Sequence, residues 1–124
     1  VICGLVIDTL LVVNNYRDRE NDKRDGKITL IVRIGEKKAE KLYLALGLMT
    51  YLQMLLLLFS GERDNLLSFI FVFIIFIPYG ILHYKTAMLM KTIKKGKELN
   101  IILAQTARNM LIYGIATTIA LVGL

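Results

Sequence analysis

Residues 66–84 read LLSFIFVFIIFIPYGILHY, a run of 19 residues without an aspartate, glutamate, lysine or arginine. Two other runs are similar: residues 42–60 hold no charged side chain over 19 positions, and residues 101–124 hold only Arg108 over 24. Each run is long enough to cross a bilayer, because a helix needs roughly 20 apolar residues to span the hydrocarbon core. The sequence therefore predicts an all-α membrane protein with three complete transmembrane helices.

The composition supports this class. The chain is 56% hydrophobic with a mean hydropathy of +0.57, whereas a soluble domain has about 45–50% apolar residues. A fourth run, residues 1–13, is too short to span a bilayer and contains Asp8. Because the sequence starts at Val1 inside this run, we expect a fragment whose first helix lacks its beginning. The expected helices cover residues 1–18, 38–60, 66–94 and 99–124, each to within a few residues.

The charged connections between these runs predict a topology. Residues 14–41 hold nine basic and six acidic side chains. Residues 61–65 hold one basic and two acidic side chains, and residues 85–100 hold five basic and one acidic. The positive-inside rule then places the first and third connections in the cytoplasm and the second outside. No soluble domain remains to carry a basic surface for nucleic acid, so we expect a bilayer partner and no nucleic-acid partner. His83 and Tyr84, near the cytoplasmic end of the third helix, are interpreted as interfacial anchors.

The first connection carries a pattern of acids that suits a metal ion. Asp18 and Asp22 are four residues apart, which on a helix places their Cβ atoms about 5–6 Å apart on one face. A divalent cation would offset the repulsion between two such carboxylates, and ligands that are all oxygen favour Mg²⁺. Asp25 lies one turn further along and could reach the same site.

Basic residues alternate with these acids, and they suit a phosphate group. Arginine grips phosphate through two hydrogen bonds, and lysine acts as a point charge. The candidates are Arg17, Arg19, Lys23, Arg24 and Lys27, with Asn14 and Asn15 one turn before Asp18. A metal and a cationic cluster at a membrane surface together indicate a lipid that bears a diphosphate. An ordinary solvated connection of mixed charge has the same spacing, so spacing alone leaves both interpretations open.

The whole stretch 14–35, NNYRDRENDKRDGKITLIVRIG, resembles the second aspartate-rich motif of the UbiA-type intramembrane prenyltransferases. It is most similar to the branch that acts on 1,4-dihydroxy-2-naphthoate in menaquinone synthesis, whose pattern has the form N-N-x-R-D-x-x-x-D-x-x-x-G-K-x-T-L-x-V-x-x-G. The matching positions are Asn14, Asn15, Arg17, Asp18, Asp22, Gly26, Lys27, Thr29, Leu30, Val32 and Gly35. The segment Thr106-Ala107-Arg108, followed by Tyr113-Gly114, also resembles the last helix of this branch.

The resemblance implies a fold and a location. Members of the family are nine-helix bundles, so residues 1–124 would be the last four transmembrane helices of one prenyltransferase domain. The protein would lie in the bacterial inner (cytoplasmic) membrane, cross it several times and keep its active-site loops in the cytoplasm. The family has a further aspartate-rich motif on an early helix, and this sequence has no second acidic motif that corresponds to it. We therefore expect these residues alone to be inactive.

The resemblance also implies a reaction and its residues. A polyprenyl group would pass from polyprenyl diphosphate to 1,4-dihydroxy-2-naphthoate, with loss of CO₂ and diphosphate, giving demethylmenaquinol. Asp18 and Asp22 would bind Mg²⁺ and act in catalysis, with Asp25 as a further metal ligand. Diphosphate would be bound by Arg17 and Lys27, supported by Asn14 and Asn15.

Two charged residues within the apolar runs are weaker candidates. Asp8 and Arg108 could line a cavity for the aromatic substrate, because an ionisable residue in a membrane segment indicates a function by default. They could equally form a structural ion pair with each other. Two alternatives for the whole chain also stay open: a UbiA-type enzyme with another acceptor, and a small membrane subunit without catalysis.

Overall fold

The computed structural model describes residues 2–59 and 66–123, and within them the chain is helical without a strand. The helices are α1 (Ile2–Arg24), α2 (Leu30–Ile34), α3 (Glu36–Phe59), α4 (Leu66–Ile93) and α5 (Leu99–Gly123). The predicted all-α class is confirmed, and the last three expected helices agree with α3, α4 and α5 to within two residues. The expected external turn, residues 61–65, lies outside the described residues.

The first helix is longer than the sequence suggested, because it continues through the acidic motif to Arg24. Gly26 then ends it with a φ of +75°, a left-handed conformation that glycine adopts without strain. The Gly26 amide donates to the Lys23 carbonyl at 3.3 Å, and the Lys27 amide donates to the Asp22 carbonyl at 2.8 Å. These two bonds form a Schellman motif, so Asp18 and Asp22 lie on the last turns of a regular helix.

The second helix was not predicted, and it accounts for the end of the motif. Thr29 caps α2 by accepting a hydrogen bond from the Val32 amide at 3.3 Å. Gly35 follows the helix with a φ of +80°, and its amide donates to the Ile31 carbonyl at 3.0 Å. The threonine and the glycine of the motif therefore mark the two ends of one short helix.

The long helices pack in a cycle. Helix α1 lies against α3 and α5, and α4 lies against α3 and α5 as well. Two buried clusters fill the interior. One contains Val13, Tyr16, Tyr43, Met90 and Ile102 near the acidic end of α1. The other lies towards the opposite end and contains Val6, Met54, Phe76, Tyr79 and Tyr113.

The outer faces of the helices are strongly apolar. Large hydrophobic side chains on all four long helices are exposed, among them Leu11, Leu48, Leu52, Leu67, Ile74, Ile81, Leu111, Ile115 and Leu121. Among the described residues, α4 is the one helix long and apolar enough to cross a membrane by length and composition, with a mean hydropathy of 2.3 and 22% of that window buried. Helix α4 could therefore span a membrane, and the multiple crossings expected from the sequence stay a prediction.

Candidate functional site

Asp18 is held by its neighbour in the chain. Arg17 donates from Nε to Oδ1 of Asp18 at 2.7 Å and from Nη2 to Oδ2 at 2.9 Å. These hydrogen bonds from Arg17 lower the pKa of Asp18 below its ordinary value of 3.8. The Asp18 side chain is 36% exposed. An ionised and accessible carboxylate therefore lies on the penultimate turn of α1.

Arg17 is itself positioned by two asparagines. Its Nη2 donates to Oδ1 of Asn14 at 2.9 Å, one turn earlier on α1, and its Nη1 donates to Oδ1 of Asn100 at 3.1 Å. Asn14 therefore contacts Arg17, while its support of diphosphate binding stays a prediction. The contact of Asn100, on the first turn of α5, was not predicted. Asn15 is half-buried and makes no hydrogen bond to this group within the described residues.

Asp22 lies one turn beyond Asp18, and it is much more buried. Its Oδ1 is 3.5 Å from Nζ of Lys27, while the Lys27 side chain is mostly exposed. Its Oδ2 is buried and has no hydrogen-bond partner among the described residues. An unpaired buried oxygen is unfavourable, and in a native protein it commonly marks the place of a water or an ion.

Asp25 is not brought together with the other two acids. It lies beyond the end of α1, its side chain is 67% exposed, and its Oδ1 pairs with Nε of Arg24 at 3.3 Å. Within residues 2–59 and 66–123, no group of three or more histidine, cysteine, aspartate or glutamate side chains is arranged to hold a metal ion. The described part of the chain thus offers Asp18 and Asp22 as two carboxylates on neighbouring turns.

These two carboxylates fit part of a magnesium site. All of their donor atoms are oxygens, and Mg²⁺ is commonly bound by one or two carboxylates together with substrate phosphates. The Oδ2 of Asp22 is buried and has no hydrogen-bond partner among the described residues that such a contact would displace. Both oxygens of Asp18 accept from Arg17, so Arg17 would have to share Asp18 or release it when a metal is bound.

Arg19 is buried between helices, whereas the sequence suggested that it contacts a phosphate. It is 7% exposed, and its Nη2 donates to Oε2 of Glu36 and to the carbonyl of Lys94, both at 2.8 Å. Its Nη1 donates to the carbonyl of Tyr16 at 2.7 Å, and its guanidinium lies 4.2 Å from the centre of the Tyr16 ring. The hydroxyl of Tyr16 donates to Oε1 of Glu40 at 2.9 Å. Arg19 and Tyr16 therefore join α1 to α3 and to the turn after α4.

The sequence contained a signal for the position of Arg19. Thr9, Val12, Val13 and Tyr16 are buried at the spacing of one helix face, and Arg19 continues that spacing. Arg17 lies on a different face of the same helix, which explains why one arginine reaches the acidic site and the other the interior.

The residues considered for a substrate cavity are separate from this site. Asp8 and Arg108 are both exposed, and no ion pair joins them among the described residues. Nη2 of Arg108 donates to Oδ1 of Asn109 at 3.3 Å. The structure therefore gives no support to an Asp8–Arg108 pair, and a cavity role for either residue stays a prediction.

The interpretation of His83 as an interfacial anchor is wrong. The residue is 3% exposed, its Nε2 lies 3.0 Å from the carbonyl oxygen of Tyr43, and its ring stacks on the Tyr43 ring with centroids 4.5 Å apart. Gly47 makes the space for this ring, since a Cβ at position 47 would collide with it. Tyr84, by contrast, is 55% exposed.

A polar network around His83 also escaped the sequence reasoning. The hydroxyls of Tyr43 and Thr106 are 2.9 Å apart, which joins α3 to α5. Thr86 donates to Oε1 of Gln105 and accepts from Nδ2 of Asn109, each at 3.1 Å, which joins α4 to α5. These contacts fix the packing of three helices below the acidic end of α1.

Comparison with known proteins gives one short similarity. Over 44 residues the chain is 43% identical to the 1,4-dihydroxy-2-naphthoate octaprenyltransferase of Escherichia coli (strain K12). The matched stretch covers 36% of this chain and 14% of that protein, so the chain spans well under two thirds of its relative. No protein-family model matches the chain, and no solved structure matches it. The similarity agrees with the resemblance to prenyltransferases, and it is partial.

Proposed function

We propose that this chain contributes the second acidic motif of a membrane prenyltransferase that acts on 1,4-dihydroxy-2-naphthoate. The observation that carries the proposal is the Arg17–Asp18 pair beside Asp22, whose Oδ2 has no partner among the described residues. This arrangement combines metal ligands with a cation for phosphate. The local similarity to a naphthoate octaprenyltransferase supports the same class of reaction.

The proposed reaction replaces a carboxylate by a prenyl group. The bond between the first prenyl carbon and the diphosphate oxygen breaks, and the diphosphate leaves with the bonding electrons. The ring carbon that bears the carboxylate forms the new carbon–carbon bond, and CO₂ departs as the ring regains aromaticity. The product is demethylmenaquinol.

Each charged residue of the site has a role in this scheme. Asp18 and Asp22 would hold Mg²⁺, which when bound supplies positive charge to the leaving diphosphate. Arg17 would bind a diphosphate oxygen, and Asn14 and Asn100 orient its guanidinium for that contact. Lys27 would add positive charge beside Asp22. The apolar helices would keep water away from the allylic cation.

The outer surface supports a location within the bilayer. A monomeric soluble protein rarely exposes an apolar patch above a few hundred Å², whereas here large hydrophobic side chains are exposed on all four long helices. We propose that the chain crosses the bacterial cytoplasmic membrane several times, with the acidic end of α1 on the cytoplasmic side. In a bilayer these side chains would contact lipid.

The full activity would require more metal ligands than the two carboxylates that the described residues bring together. The resemblance implies a further acidic motif that completes the site, and the matched stretch covers only 14% of the relative. We propose that the 124 residues alone bind Mg²⁺ weakly and make no demethylmenaquinol. An enzyme assembled with the N-terminal helices of a naphthoate prenyltransferase would be active.

The test is an assay of that assembled enzyme in membranes with Mg²⁺, a polyprenyl diphosphate and an aromatic acceptor. We expect demethylmenaquinol from 1,4-dihydroxy-2-naphthoate and no product from 4-hydroxybenzoate. Product from 4-hydroxybenzoate instead would assign another acceptor. If the assembled protein showed no Mg²⁺-dependent binding of prenyl diphosphate, the chain would be a membrane subunit without catalysis.

A further inference from the structure

We propose that the turn after α4, residues 94–98, forms the second wall of a phosphate-binding cleft opposite Arg17. Lys95 and Lys97 would bind the anionic headgroup of the substrate there, together with Arg17. The inference rests on the proposed function, because it names further residues that hold the diphosphate. It also places the main lysine contacts on this turn, whereas Lys27 does not line the cleft.

The cleft lies between the last turns of α1 and the beginning of α5. Its volume is about 470 Å³, which is within the usual range of roughly 300–1,000 Å³ for ligand sites. Its charged lining consists of Arg17, Arg19, Lys95 and Lys97 against Asp18 and Glu20. The guanidinium of Arg19 is paired with Glu36, so three basic side chains, Arg17, Lys95 and Lys97, face two acidic ones. The cleft therefore has a net positive charge and suits a ligand with several negative charges.

The two lysines of the turn are available for a ligand. Nζ of Lys95 is 3.9 Å from Oε1 of Glu20, and the two side chains are 70% and 65% exposed. An exposed pair at that distance contributes little and is easily exchanged for a stronger anion. Lys97 is exposed and forms no ion pair within the described residues. Lys27, in contrast, lies beside Asp22 and does not line the cleft.

Two hydrogen bonds set the position of the turn relative to α1. Arg19 donates to the carbonyl of Lys94 at the start of the turn, and Arg17 donates to Asn100 just after its end. The turn itself requires left-handed backbone at Lys94 and Gly96, whose φ angles are +57° and +88°. Its two lysines are thereby presented on the same side as Arg17 and Asp18, around one space.

The ligand class that follows is an anionic phosphate or diphosphate group. Three cations, Arg17, Lys95 and Lys97, converge on a polar cleft that Asp18 also lines. Asp18 would help to hold a metal, which would supply further positive charge for the phosphate. Two sources share this chemistry: a soluble or prenylated diphosphate, and the phosphate headgroup of an anionic lipid. The cleft would distinguish them by charge, since a diphosphate has more negative charge than a phosphodiester.

The test measures binding of inorganic diphosphate by calorimetry, with the chain in nanodiscs of phosphatidylcholine. We expect the double variant Lys95→Gln/Lys97→Gln to bind about tenfold or more weakly, a loss of about 1.4 kcal/mol or more, because it removes two of the positive charges that face the anion. The control Lys37→Gln/Lys41→Gln removes two exposed lysines of α3 that do not line the cleft. It should change the affinity less than about twofold. Lys95→Arg/Lys97→Arg should retain binding, which separates lost charge from lost folding.

Several results would overturn the proposal: no binding by the unmodified chain, unchanged affinity in Lys95→Gln/Lys97→Gln, or an equal loss in the control. A second arm repeats the titration in nanodiscs that contain phosphatidylglycerol. If diphosphate still binds in the presence of phosphatidylglycerol, the ligand is a diphosphate. If phosphatidylglycerol displaces diphosphate, and does so only when Lys95 and Lys97 are present, the cleft binds a lipid headgroup. Product formation by the assembled enzyme is a separate readout. If the assembled enzyme is active and its diphosphate affinity is unchanged in Lys95→Gln/Lys97→Gln, this inference is wrong while the proposed function stands.

Discussion

Nη2 of Arg19 lies 2.8 Å from the carbonyl oxygen of Lys94, a residue 75 positions further along the chain. The same nitrogen is 2.8 Å from Oε2 of Glu36. One buried guanidinium therefore connects the acidic end of α1 to the start of α3 and to the turn that follows α4. This turn carries Lys95 and Lys97, so Arg19 sets the distance between these lysines and the acidic end of α1. Its own guanidinium is paired with Glu36 and does not contact the ligand.

Replacing Arg19 should destabilise the fold. Arg19→Ala leaves Glu36 and the Lys94 carbonyl without their donor, and we expect a loss of about 2–4 kcal/mol in the free energy of unfolding. The loss is limited to this range because Glu36 is 30% exposed and water can partly replace the arginine. Denaturant unfolding in detergent measures the effect. Arg24→Ala is the matched control, since its pair with Asp25 is exposed, and it should change the stability by less than about 0.5 kcal/mol.

The charge state of Asp18 should depend on Arg17. Hydrogen bonds from Arg17 lower the pKa of Asp18 below 3.8. The ionised carboxylate therefore stabilises the folded state above the pKa of the unfolded chain, and this stabilisation disappears as the pH falls through the lowered folded value. In Arg17→Gln the pKa of Asp18 should rise towards 3.8 or above. A carbon-13 NMR titration of the Asp18 carboxyl measures it, and Arg24→Gln should leave the titration unchanged. An unaltered curve in Arg17→Gln would contradict the pairing.

The contact between Gly47 and His83 should not tolerate a methyl group. A Cβ at position 47 would overlap the imidazole ring, and the ring is fixed between Tyr43 and Tyr79. We expect Gly47→Ala to cost about 1–3 kcal/mol in the free energy of unfolding. The double variant Gly47→Ala/His83→Ala should show strong coupling, because removing the ring removes the collision. Additive effects in this double-mutant cycle would mean that the two residues do not touch.

The proposed topology predicts which positions can be labelled from outside the cell. A cysteine at position 64, which lies outside the described residues, should react with a membrane-impermeant reagent in intact cells, because residues 61–65 hold few basic side chains. A cysteine at position 37 should react after the cells are permeabilised, because its segment is rich in lysine and arginine. The reverse pattern would place the acidic motif outside and contradict a cytoplasmic active site.

The helices could be predicted from sequence because their signals are local. Long uncharged runs set α3, α4 and α5 to within two residues. The first helix was expected to reach about residue 18 or beyond, and α1 continues to Arg24 because the left-handed Gly26 is what ends it. Helix α2 is short, and its signals are a capping threonine and a glycine that also suit a loop.

The site was predictable only in part, because some of its contacts join distant residues. Asp18, Arg17 and Asn14 lie within two turns of one helix, and a motif can record such neighbours. Asn100 reaches Arg17 across 83 positions. His83 is buried because of a glycine on another helix. The spacing of residues within one helix does not predict contacts between residues on different helices, because these form only when the helices pack.

The most direct test of the proposed activity is the rate of demethylmenaquinol formation by the assembled enzyme with Asp18→Asn, compared with Asp25→Asn. Asp18→Asn removes a charged ligand from the proposed Mg²⁺ site and should reduce product formation by about 10²-fold or more at limiting Mg²⁺. Asp25 is exposed and separate from the other two acids, so Asp25→Asn should keep a rate within about threefold of the unmodified enzyme. A near-normal rate for Asp18→Asn at limiting Mg²⁺ would contradict the metal site and the function built on it.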